Sequence, residues 1–275
     1  MTIVDAQVHI WKADTPDRPW TPGRVPQLPE PFTLEKLLPM MNEAGVDRAV
    51  IVPPSWEGDR NDYGLEAVAR YPGRFAVMGR VPLDKPEVAA QFADWTKQPG
   101  MVGIRVAFLG PTRPFITDGT ADWFWPAAEK YALPVMFFGA PMSLLGAIAE
   151  HHPGLPLIAD HMGLTLDMVK EGKAASGILE TTALAKYPNV SVKLSATPHY
   201  SAEPYPFRDF NVHIRRLFDA FGPRRSYWGT DLTNSLAKAT YRQRVTHFTE
   251  ALDFLNAEDK KWIMGRAIME RLGWN

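Results

Sequence analysis

Residues 3–10 read IVDAQVHI, a short apolar segment interrupted at alternate positions by Asp5, Gln7 and His9. In a strand, residues i, i+2 and i+4 share one face. The expectation is therefore a buried strand whose three polar side chains point together into whatever it lines. Seven more strand-like pieces follow: RAVIVPP (48–54), FAVMGRVP (75–82), VGIRVAF (102–108), PVMFFGAP (134–141), LPLIADHMG (155–163), VSVKLSA (190–196) and SYWGTDL (226–232). Stretches of helical periodicity separate them, such as LEKLLPMMNEAG (34–45), EVAAQFADWTKQPG (87–100) and FNVHIRRLFDAFGP (210–223). Several of these close on Gly or Pro just past the last apolar residue, as helix stops do. Pro39 lies inside the first and is expected to kink or shorten it.

Eight β-then-α units is the number that closes a parallel barrel. An open doubly wound sheet shows the same alternation, but no G-x-G-x-x-G follows the first strand to cradle a dinucleotide. Polar residues also recur near the C-terminal ends of the strand pieces, where barrel enzymes build their sites. The fold class expected is α/β, a single TIM-like (β/α)8 barrel over residues 1–275, with an extra C-terminal helix from about Glu258 to Leu272.

Composition narrows the function. Thirty Lys+Arg against 31 Asp+Glu give a formal charge of -1 with no long run of either sign, which argues against nucleic acid or an anionic membrane as partner. The absence of cysteine removes disulfides, thiolate catalysis and Cys-ligated zinc together. No window approaches the ~20 apolar residues that span a bilayer, and no leader-like run opens the chain, so a cytoplasmic protein is expected. Prolines and tryptophans gather in TPDRPWTPGRVPQLPEPF (15–32), the composition of a stiff loop over a site rather than a flexible linker. Aromatic-rich surfaces would suit a homo-oligomer.

The strand ends supply the candidate site: Gln7 and His9 on the first, Arg105 on the fourth, Asp160 and His161 on the sixth, Lys193 and Ser195 on the seventh, Asp231 on the eighth. Strict alternation sends His161 inward beside Leu157 and Ala159 and turns Asp160 toward the helices. Any one of these groups could be a satisfied structural residue. Gathering His9, Arg105, His161, Lys193 and Asp231 at one barrel end, however, costs several kcal/mol of desolvation unless they pair or bind something. His199 sits in the loop after the seventh strand, where it could reach a substrate. His151 and His152 read as helix-end caps, His213 and His247 as structural, and Glu57, Asp59 and Arg60 as a solvated loop.

With these residues placed, the order of DAQVHIW, GIRV, DHMG, VKLSA, WGTD and the closing IMGRAIMERLGW resembles the amidohydrolase superfamily. Within it, the chain is similar to the amidohydrolase-2 branch of metallo-dependent lactonases, the group that includes fuconolactonase and 2-pyrone-4,6-dicarboxylate lactonase. That family's pattern opens with Asp-x-His-x-His on strand one and carries a His in Asp-His-(Met/Leu)-Gly on strand six and an Asp on strand eight. The resemblance implies His9, His161 and Asp231 as catalytic residues and as ligands of any metal, and Arg105 as the contact for an acidic substrate. Lys193, Gln7 and His199 are the further substrate-binding candidates. Three positions depart from the pattern: Gln7 replaces the first His, Leu164 an arginine after DHMG, and Arg266 an asparagine in the closing motif.

Two imidazoles and a carboxylate around one divalent ion, Zn or Mn, would lower the pKa of bound water toward ~7. A Gln amide is a poorer ligand than imidazole, so Gln7 would weaken such a site; without a metal, Asp231 would be the general base. The expected activity is opening of a lactone or related cyclic ester of a small carboxylate-bearing molecule. Two other readings stay open at this point: metal-dependent decarboxylation of an aromatic or unsaturated acid, and a catalytically silent barrel that binds a small molecule.

Overall fold

The computed structural model describes residues 1–274. Eight strands, β1 (Val4–Val8), β2 (Arg48–Ile51), β3 (Phe75–Gly79), β4 (Met101–Ala107), β5 (Val135–Phe138), β6 (Leu157–Ala159), β7 (Val190–Ser195) and β8 (Ser226–Gly229), follow one another in sequence order in a single sheet. Every pairing from β1 to β8 is parallel. The sheet curls until β8 meets β1, and that seam is stitched largely by one side chain. Asp5 accepts from Thr230 N at 2.8 Å, Thr230 Oγ1 at 2.5 Å, Tyr241 Oη at 2.7 Å and Gln7 N at 3.0 Å. Asp231 N adds a bond to Gln7 O at 3.0 Å.

The apolar side chains sort into two layers. Val4, Ala6, Val50, Val52, Ala76, Met78, Met136, Ile158 and Tyr227 fill the barrel interior, and Ala267, Ile268, Leu272 and Trp274 of the C-terminal helical segment plug its N-terminal end. Strand residues of opposite parity, such as Ile51, Val77, Val106, Phe137, Val192 and Trp228, pack outward against the helices. Strands buried on both faces read as nearly continuous apolar runs, and all five residues of β1 are buried.

Two expectations about faces are corrected here. Asp5, Gln7 and His9 do not share a face, because the β1–β2 register shifts between Asp5 and Val8. An extra residue in a strand reverses the side-chain parity beyond it. Val4 and Ala6 therefore lie inside while Val8 and Ile10 pack outside, so Asp5 serves the seam and Gln7 and His9 enter the interior. On β6 it is Leu157 and Ala159 that face the helices and Ile158 that faces inward. Asp160 continues the inward parity. His161 joins it because the backbone turns left-handed immediately afterwards, with φ 50° at His161 and 61° at Met162.

Helices follow most of the expected stretches, with differences. The first runs unbroken over Leu34–Ala44 through Pro39, which lies on the exposed side, where water can reach the carbonyl it leaves unpaired. Pro86–Lys97 winds as a 3₁₀ run instead of an α-helix. Its three-residue period puts Phe92 and Trp95 together against the barrel, and Trp95 Nε1 donates to Gly103 O at 2.9 Å. The chain over 257–272 is helical with a widened turn at Trp262–Arg266. Glu57 is not solvated: only 4% exposed, it accepts from Arg18 Nε at 2.7 Å and so ties the proline-rich loop down. Thr21 N bonds Trp56 O at 2.7 Å and Arg24 Nη2 bonds Leu109 O at 3.2 Å, so this loop is strapped across the C-terminal mouth. Among the described residues no helix is long and apolar enough to cross a membrane.

Candidate active site at the barrel mouth

A cavity of about 410 Å³ opens at the C-terminal mouth, and Gln7, His9, Arg105, His161, His199 and Asp231 all line it. The strand ends thus bring together six of the seven expected site residues. Lys193 differs: fully buried, it lies beneath the cavity and not on its wall. Its ammonium pairs with Asp160 Oδ1 at 2.7 Å, donates to the amide oxygen of Gln7 and lies 3.2 Å from Met136 Sδ. A cation with no exposed surface supports other side chains and does not touch substrate.

Two local distortions aim the reactive groups. Asp231 has φ 48° just past β8, a left-handed conformation that β-branched residues avoid and Asp tolerates. The left-handed turn after Asp160 ends at Gly163, with φ +73°, where a Cβ would lie 2.1 Å from Thr181 Oγ1. Only glycine fits, which gives the G of DHMG a steric cause.

The protonation pattern follows from groups that have no choice. Val52 O can only accept, and His9 Nδ1 lies 2.6 Å from it, so in the neutral ring the proton is on Nδ1 and Nε2 is a bare lone pair. Lys193 can only donate, so the atom of Gln7 facing it is Oε1, and the amide nitrogen faces the imidazoles. That nitrogen lies 3.3 Å from His9 Nε2 and 3.1 Å from His161 Nε2. His161 then carries its proton on Nδ1 and donates it to Ser195 Oγ at 2.8 Å. Burial pushes the His161 imidazole down to about 4, which agrees with a neutral ring.

Asp231 sits against both rings, with Oδ1 3.1 Å from His9 Nε2 and Oδ2 3.7 Å from His161 Nε2. Oδ2 accepts from the Asn234 amide, whereas Oδ1 is buried without a hydrogen-bond donor. Burial by itself raises this carboxyl; the imidazoles and the Asn234 amide outweigh it and hold it below the usual range. Asp160 behaves alike, its burial offset by Lys193 and by Arg105, whose Nε lies 3.2 Å from Oδ2. That pairing engages Nε, and the Arg105 guanidinium lies over the Phe138 ring at 5.0 Å.

The donor set does not fit a divalent ion. Ligand nitrogens must aim their lone pairs at the metal from ~2.0–2.1 Å, and here both imidazole lone pairs meet the N–H groups of Gln7. Among the described residues no group of three or more His, Asp or Glu is placed to hold a metal ion.

Reasoning from sequence missed Asn234, the bond donor on Asp231, and Arg24, which also lines the cavity. Asn234 follows Asp231 by three residues, a spacing that a tight turn brings into contact. Arg24 carried no local signal beyond its place in the stiff loop. His151 Nδ1 lies 2.8 Å from Ala147 O and His152 Nδ1 2.7 Å from Glu129 Oε2, both at the end of their helix.

A single parallel (β/α)8 barrel with its ionisable cluster at the C-terminal mouth defines a class, the TIM-like barrel enzymes that work from strand-end side chains. The chain belongs to the amidohydrolase family, whose model, Amidohydrolase, matches residues 4–270. It is similar to an L-fucono-1,5-lactonase of Burkholderia ambifaria, 29% identical over 250 residues that cover 83% of this chain and 79% of that one. A 4-sulfomuconolactone hydrolase of Hydrogenophaga intermedia is 26% identical over 239 residues, 84% of this chain and 74% of the relative. Among solved structures, a zinc-bound amidohydrolase of Burkholderia multivorans superposes with a TM-score of 0.83 at 20% identity, covering 100% of both chains, a likeness of fold.

Proposed function

We propose that this protein hydrolyses a lactone or related cyclic ester of a small carboxylate-bearing molecule, with Asp231 as general base. The observation that carries the reading is the Asp231 carboxylate: it lines the cavity, it is held below the usual carboxylate range, and it lies against the His9 and His161 imidazoles with Oδ1 outside any hydrogen bond. A carboxylate oxygen without a hydrogen bond of its own keeps acceptor capacity for a proton from water. The two lactone-hydrolysing relatives support the substrate class.

In the proposed reaction Asp231 takes a proton from water as the water oxygen attacks the lactone carbonyl carbon. Asp231 holds that proton while the tetrahedral oxyanion stands. When the carbon–oxygen ring bond breaks, the alkoxide leaving group takes the proton back, and the product is a hydroxy acid. His161 keeps its place through Gln7 and Ser195. Arg105, in the cavity lining, pairs with the substrate carboxylate, and His199 contacts the ring. Zinc in a relative of the same fold raises the question of a metal held by His9, His161 and Asp231; since that donor set does not fit, no step is routed through one.

Screening a lactone panel and then measuring Asp231→Asn on the substrate found tests the base. A fall in kcat of roughly 10²–10⁴-fold is expected for loss of a positioned general base. Turnover equal to wild type would rule Asp231 out.

A further inference from the structure

We infer that the carboxamide of Gln7 takes the place of a divalent ion in this barrel, joining His9 and His161 through its two N–H groups and so making the site work without a resident metal. The inference rests on the lactonase reading only for its activity arm.

With the His9 ring in its neutral form, the geometry leaves one assignment. Lys193, buried and without acceptor capacity, fixes Oε1 of Gln7 on its own side. The amide nitrogen then has two hydrogens and two acceptors to meet, His9 Nε2 at 3.3 Å and His161 Nε2 at 3.1 Å. Each ring is held from its far nitrogen as well, His9 by Val52 O at 2.6 Å and His161 by Ser195 Oγ at 2.8 Å. Polar atoms around the amide are thus matched donor to acceptor, in a buried place where a mismatch is costly.

An ion between the rings needs the same two lone pairs. It would meet the positive ends of the amide N–H bonds unless Gln7 flipped. Flipping would turn the amide nitrogen toward the Lys193 ammonium, donor against donor, with Asp160 already shared between Lys193 and Arg105. The amide and the ion are therefore alternatives. A neutral amide also leaves the Asp231 carboxylate uncommitted to a cation, with Oδ1 outside any hydrogen bond.

Three proteins, the wild type, Gln7→His and Gln7→Glu, are incubated with excess zinc, desalted and analysed for metal, with nitrogen NMR of the histidine rings read in parallel. The wild type is expected to retain far less than one zinc per chain, with its His9 and His161 Nε2 resonances in the unprotonated position and unmoved by zinc. Gln7→His, or Gln7→Glu if the histidine variant does not fold, is expected to gain about one zinc per chain. One zinc per wild-type chain, lost on His9→Ala, overturns the inference; so does a failure of both folded variants to gain metal, since the amide would then not be what excludes it. Once a substrate is in hand, chelator-treated wild type is expected to keep its full kcat, and a loss of activity restored by zinc overturns it too. Metal content is read without substrate, so a failed lactone screen leaves this test standing.

Discussion

Arg105 shows how one residue can be held and yet free. Its Nε is committed to Asp160 at 3.2 Å while its guanidinium rests over Phe138, and the residue lines the cavity. Lysine would keep the charge and lose the planar fork. Arg105→Lys is expected to raise KM for a carboxylate-bearing lactone by roughly ten- to hundredfold, the equivalent of the ~1.5–3 kcal/mol of a charge-assisted hydrogen bond. KM for a neutral lactone should stay within error of wild type. Steady-state kinetics on such a pair checks it, and equal losses on both would remove Arg105 from carboxylate recognition.

At the scale of elements, the seam and the first helix give opposite expectations. Asp5 gathers four hydrogen bonds from both sides of the β8–β1 junction in a fully buried place. Asp5→Ala strands those donors, and at ~1–3 kcal/mol for each buried unsatisfied group the loss is expected to be at least about 3 kcal/mol. Chemical denaturation measures it, and a change below about 1 kcal/mol would show the seam closes without Asp5. Pro39 breaks a hydrogen bond on the exposed side of its helix. Interior proline costs ~3 kcal/mol against alanine, less ~1 kcal/mol for the freer unfolded chain. Pro39→Ala is accordingly expected to stabilise by about 1–2 kcal/mol, and a lower melting temperature would contradict this.

These two elements also mark what local sequence conveys. The helix over Leu34–Ala44 was legible from its periodicity, and Pro39 misled because propensity cannot say which side faces water. β1 was legible as a strand because its apolar run is contiguous, yet its faces were not. One register shift against β2 reverses the parity of everything beyond it, and that shift belongs to a pairing with residues more than forty positions away. His161 lines the cavity as expected, but through the left-handed turn at His161–Met162 and not through the alternation along β6, whose parity is the reverse of the expected one.

Over the whole molecule, two histidines are buried neutral: burial pushes both His161 and His247 down to about 4. Both read about 6.5 in the unfolded chain. Between those values the unfolded state binds more protons, so stability falls as pH drops from about 6.5 toward 4, by up to ~1.4 kcal/mol per pH unit for each ring. Asp5, raised by burial, opposes this in the part of the window below its own value. Calorimetry from pH 7 to 4 is expected to show a steadily falling melting temperature with no change in fold at the upper end. A constant melting temperature over that window would mean the rings are not neutral in the folded state.

The sequence by itself determined the barrel and its chemical content. Eight apolar runs alternating with helical periodicity fix the number of units, because each strand is buried on both faces and each helix on one. The residue types at the strand ends, His9, Arg105, His161 and Asp231, were visible there too, and they meet in one cavity. Only the tertiary structure decided how they meet: which way Gln7 turns its amide, where Lys193 spends its charge, and that Asp5 belongs to the seam. Those outcomes depend on obligate donors and acceptors brought together from strands far apart in sequence, such as Lys193 opposite Gln7 and Val52 opposite His9. Periodicity records burial, whereas hydrogen-bond direction is settled only when the partners are in place.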